Sequence, residues 1–168
     1  MGFMPIFALW IVIMQRRLSL EQVVAPVVQG LGYTFEGLQC LPHGRSKLLR
    51  VFIDKSASEG TSNRASIDDC EKVSQQLKSV LTVAGETYAI EVSTPGLDRL
   101  LFTIEQCQAQ VGKLLSLAFE ASAIQPRYIK GRLQAVMLPD QLHILVDGQE
   151  ITISVADVAE MRVVPEWD

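Results

Sequence analysis

Asp68, Asp69 and Glu71 form the densest run of carboxylates in the chain, and crowded oxygen ligands are the raw material of a divalent-cation site. Their spacing argues for another role. They fall at the start of a helical pattern, where consecutive side chains point in different directions and negative charge opposes the macrodipole, so the pattern predicts a cap rather than a metal site. His43 and His143 each stand without a second ligand at helical or loop spacing. Cys40, Cys70 and Cys107 are widely separated and make no C-x-x-C pair, which predicts reduced, buried thiols and neither a disulfide framework nor zinc. No G-x-S-x-G elbow offers a serine to either histidine, and the glycines form no phosphate-cradling loop of the G-x-G-x-x-G or G-x-x-x-x-G-K-[ST] type. The expectation is a protein that acts by binding: no enzyme, no catalytic residue, no metal ligand and no cofactor.

The most distinctive stretch is EVSTPGLDR at 91–99, and its Ser93, Thr94, Pro95, Gly96, Leu97, Asp98 and Arg99 are the candidate site. It joins a strand end to a proline-glycine turn and a charged pair set among leucines. Proline presets φ for the second position of a tight turn and glycine tolerates positive φ at the third, so Thr94-Pro95-Gly96 predicts such a turn. One reading is a rigid connector, with Arg99 bonding strand-end carbonyls or a carboxylate; the other is an exposed edge that contacts a partner. Leucines beside a turn favour the connector.

The elements that must position this segment follow from periodicity. From Ser19, the residues Leu20, Val23, Val24, Val27 and Leu31 recur three and four apart and predict an amphipathic helix, bent at Pro26. Residues 33–41 and 47–54 predict a hairpin across Pro42-His43-Gly44-Arg45, and the polar run 55–65 an exposed loop. Ser66 and Asp69 then cap a helix whose inner face is Ile67, Cys70, Val73, Leu77 and Val80 or Leu81, and 87–93 is a third strand. After the turn come a short helix at 103–111, capped by Thr103 and Gln106, and five short apolar runs at 113–119, 128–137, 142–146, 149–153 and 159–164. Asp147-Gly148 between two of these is a strong hairpin signal, and five short strands predict a small barrel. The fold class is thus α+β: an α/β domain of two helices on a three-stranded sheet over 15–94, and a small β-barrel over 95–168.

Residues 1–14 are set apart as an apolar leader, either a mobile tail or the product of an upstream start, with translation beginning at Met14. Its apolar run is much shorter than the roughly twenty residues that cross a bilayer, and the arginines follow it where a secretory signal would place positive charge before it.

The net charge of −4 is unevenly spread. Residues 1–92 hold nine basic and nine acidic side chains, and 93–168 hold six basic and ten acidic. A protein that grips nucleic acid through phosphates carries the opposite surplus, and an acidic second half suits a basic partner better than naked RNA.

Four stretches, LGYTFEG at 31–37, LLRVFIDK at 48–55, SIDDCEKVSQQL at 66–77 and YAIEVSTPGLDRLL at 88–101, make the chain resemble the ribosome maturation factor P family, RimP. The usual form of the last is similar to SSPGLDRPL; Thr94 and Leu100 depart from it. The resemblance implies a cytoplasmic, monomeric protein that binds the immature small (30S) ribosomal subunit through basic small-subunit protein twelve, with direct rRNA contact secondary and no membrane. It also implies that the carboxy-terminal barrel is SH3-like. The rivals are an RNA-binding module, which calls for clustered Arg and Lys with exposed aromatics, and an enzyme whose site is assembled from distant residues.

Overall fold

A computed structural model describes residues 6–55, 64–85, 87–96, 98–119 and 128–167. The chain divides into two compact units, Met1–Thr94 and Pro95–Asp168.

The first unit opens with helix α1, Ile6–Gly30, followed by strands β1, Tyr33–His43, and β2, Ser46–Lys55, helix α2, Ile67–Val83, and strand β3, Ala89–Ser93. Residues 6–14 of the apolar leader are helical and form the first turns of α1. No glycine or proline lies between Ile6 and Ala25, so nothing in the sequence stops a helix before Pro26, and α1 continues through that residue to Gly30. Val24 and Val28, both fully buried, hold the helix on either side of it. Among the described residues no helix is long and apolar enough to cross a membrane.

β1 and β2 pair antiparallel, from Tyr33 opposite Lys55 to His43 opposite Ser46, with a bulge between Phe35 and Gly37. The hairpin is tighter than the sequence suggests: Gly44 adopts φ 60° and the strands extend to His43 and Ser46. β3 lies parallel to β2, which the intervening α2 makes possible as a crossover. The order β1-β2-β3 gives a mixed three-stranded sheet. Its core joins Leu20, Val24 and Val28 of α1 to Leu38, Leu49, Val51 and Ile53 of the sheet and Val73, Leu77 and Leu81 of α2. Ile67 is not part of it and is 87% exposed. At 100° per residue it lies roughly a quarter-turn away from the centre of the Val73–Leu77–Leu81 stripe.

The second unit contains β4, Leu100–Leu101, helix α3, Ile104–Gln108, and strands β5, Leu114–Phe119, β6, Tyr128–Met137, β7, Gln141–Val146, and β8, Gln149–Ser154. A single 3-10 turn, Val155–Asp157, leads to β9, Val158–Val163. These six strands form one antiparallel sheet in the order β4-β9-β5-β6-β7-β8, with no closed barrel among the described residues. All six strands contribute to one core, including Leu101, Leu115, Leu133, Ile144, Ile153 and Met161. The β7–β8 turn is as its sequence predicts: Asp147 and Gly148 have φ 48° and 80°, the two positive values of a type I′ hairpin. Gly131 on β6 serves a different need, close approach, since a Cβ there would stand 2.4 Å from Ile144 Cγ2 and 2.8 Å from the Leu145 carbonyl oxygen.

Candidate functional site

Ser93 is the last residue of β3, opposite Phe52, and its hydroxyl donates to the Thr94 carbonyl at 3.2 Å. Thr94 is half-buried, Pro95 buried and Gly96 exposed, while Leu97 lies outside the described residues. Gly96 is not at positive φ, so the expected tight turn with a left-handed glycine at 94–96 is corrected. Thr94, Pro95 and Gly96 follow the end of β3 without regular secondary structure. A Cβ on Gly96 would stand 3.0 Å from Asp98 Oδ1.

The polar anchor of the segment is Asp98, through a residue the sequence reading passes over. Arg162 on β9 donates from Nη1 to Asp98 Oδ2 at 2.7 Å and from Nη2 to Glu160 Oε1 at 3.0 Å. Burial works against its charge, but the bonds to Glu160 and Asp98 outweigh it and hold the guanidinium more firmly protonated than usual. Beside this pair, Leu100 and Leu101 align with Arg162 and Met161, and the Val163 N–H donates to the Arg99 carbonyl at 2.8 Å. Arg99 therefore contributes its backbone carbonyl to the edge of the sheet, and Asp98 has Arg162 as its ion-pair partner. The sequence holds a weak clue, since Glu160 and Arg162 alternate on one strand face and predict a shared ion pair.

The acidic cluster of the first unit is also placed. Asp69 is buried, and its carboxylate accepts from Tyr33 Oη at 2.6 Å, from the Ser66 N–H at 2.7 Å and from Ser66 Oγ at 2.8 Å, with Lys55 Nζ at 3.2 Å. The Tyr33 bond, then those of Ser66 and Lys55, hold its carboxyl well below the usual range against the opposing effect of burial. The Asp69 N–H in turn donates to Ser66 Oγ at 3.2 Å, completing a capping box at the start of α2. The oxygens a cation would need are occupied in tying β1, β2 and α2 together, and Asp68 points to solvent.

The cysteines divide by burial rather than sharing one state. Cys107 is buried and its thiol is pushed up to about 11, first by burial and then by Glu105, whereas Cys70 is half-buried and Cys40 exposed, so the expectation of three buried thiols holds for one. Cys40 lies two residues beyond the buried Leu38 on β1, opposite Leu49 and toward the hairpin end, where it is exposed. His143 Nδ1 lies 3.1 Å from Glu150 Oε1 across the β7–β8 pair.

Neither unit brings a nucleophile, a base and an oxyanion donor together among these residues; what they present is a segment fixed onto a sheet and a capped helix on a small mixed sheet. That first-unit architecture has a counterpart among known families. Residues 23–98, running from within α1 through the sheet and α2 to Asp98, match the family model of the RimP N-terminal domain. Over these residues the chain carries a RimP N-terminal domain, the domain of the ribosome maturation factor RimP family.

Proposed function

We propose that this protein is a non-catalytic assembly factor that binds the immature small (30S) ribosomal subunit in the cytoplasm, as a monomer, and assists its maturation. The observation that carries this reading beyond the family's general role is the distribution of charge on a chain with a RimP domain. The half that follows β3 has ten acidic against six basic side chains, a field that attracts a basic protein and repels phosphate. A basic small-subunit protein, the one numbered twelve, is the partner the resemblance implies, and rRNA contact is secondary.

The carboxy-terminal sheet supports the finer fold assignment as well. Five strands in the order β9-β5-β6-β7-β8, with a 3-10 turn before the last in sequence and a single core fed by every strand, suit a sheet curled into an SH3-like barrel. In this reading Ser93, Thr94, Pro95, Gly96, Leu97, Asp98 and Arg99 are the connector between the units, fixed on the second by Asp98 and Arg162.

Binding to the small subunit, to the isolated basic protein and to bare ribosomal RNA, each at two salt concentrations, tests the partner assignment. Binding to the first two should weaken as salt rises, because exposed charges are screened beyond about 10 Å at 0.1 M. Binding to bare RNA should be poor even at low salt. Tight, salt-sensitive binding to RNA with none to the protein would overturn the assignment in favour of an RNA-binding module.

A further inference from the structure

We propose that the outer edge of β8 is a docking site for an extended, basic segment of a partner protein, which joins the six-stranded sheet as an added strand and seats apolar side chains in the groove alongside. The inference rests on the reading of the carboxy-terminal unit as the partner-binding half and names the surface and the chemistry within it.

The two edges of this sheet are built differently. β4, at one end of the order, is two residues long, which is one way a sheet blunts an edge. β8, at the other end, is six residues long and among the described residues pairs only with β7, from Val146 opposite Gln149 to Gln141 opposite Ser154. Neither a proline nor a bulge interrupts it. An edge of this length offers a row of N–H and C=O groups to an incoming strand, the main-chain part of recognition by strand addition.

Side-chain recognition needs a pocket beside that row, and one is present. A groove of about 240 Å³ is lined by Phe119 at the end of β5, Ile129 at the start of β6 and Ile151 and Ile153 of β8. Among the described residues its charged member is Asp157, exposed in the 3-10 turn that follows the strand. Glu150, exposed on β8 itself, adds a second carboxylate. The chemistry therefore selects an extended peptide with apolar residues at alternate positions and cations between them. A nucleic acid would set phosphates against Asp157. A second copy of this chain paired through the same edge would bring Gln149–Ser154, which holds Glu150 and no cation, against Glu150 and Asp157, leaving both carboxylates without a counter-charge.

The test uses the full chain and a fluorescent, end-blocked peptide of four Val-Arg repeats, beside the same peptide N-methylated at every residue. The unmodified peptide should bind, and hydrogen exchange should slow across 149–154. The N-methylated peptide, unable to complete the ladder, should fail to bind. Asp157→Lys, an exposed substitution whose fold is checked by an unchanged melting temperature, should weaken binding roughly tenfold, as for reversal of one interfacial charge. Equal binding of the N-methylated peptide, protection confined to other strands, an unaffected Asp157→Lys, or protection of 149–154 by an RNA oligomer or by self-association would each overturn the proposal. Co-sedimentation of the wild-type chain with small subunits is scored separately, so failure of the β8 site and failure of the ribosomal reading give different results.

Discussion

At the scale of single residues, the most informative group is Asp69, because one carboxylate closes a helix cap and joins three elements. Its folded-state proton affinity lies below that of an unfolded aspartate, for which the ordinary value is about 3.9. A group with a depressed folded pKa contributes stability above the unfolded value and loses it as the pH falls through the folded one. The denaturation midpoint of the wild type should therefore drop as pH is lowered from about 5 through the acid range, and Asp69→Asn should flatten that slope while lowering stability at pH 7. Equal slopes in urea titrations of the two proteins at several pH values would contradict the role given to this carboxylate. The capping half of the network was legible in Ser66 and Asp69, a local pattern three residues apart. Tyr33 and Lys55 were not, since their approach to Asp69 depends on how β1 and β2 are laid against α2.

At the scale of elements, the reading of periodic segments succeeded where the signal was local and failed where pairing decided the outcome. The capping boxes of α2 and α3 and the Asp147-Gly148 hairpin were all foreseeable from a few adjacent residues. β4 was not, because two residues carry no period; Leu100 and Leu101 become a strand only through β9. The same non-local pairing explains why Arg162 was overlooked and why the proline-glycine segment was read as a turn. Arg162→Ala should cost no more than about 1 kcal/mol of global stability, as expected for a half-exposed pair. Its sharper effect should be local: faster amide exchange at Val163, whose N–H is held by the Arg99 carbonyl, and quicker proteolysis around 96–99. Unchanged exchange at Val163 would show that β4 holds its place without the ion pair.

At the scale of the whole molecule, the chain is two compact units with separate cores, and composition alone had suggested that their charges differ. The edge strand changes what a viable fragment must contain. A piece beginning at residue 103 lacks Leu100 and Leu101, which are buried in the second unit, whereas 95–168 retains them together with the Asp98–Arg162 pair. In thermal melts 95–168 should unfold cooperatively, and 103–168 should melt lower or without a sharp transition; a more stable shorter fragment would contradict the place of β4 in this fold.

The central claim is that the whole chain serves maturation of the small subunit before the subunits join, and gradient sedimentation of cell extract tests it most directly. The account predicts that the protein travels with free small subunits and is largely absent from assembled ribosomes. A protein that stays at the top of the gradient, or that travels equally with assembled ribosomes, would contradict it.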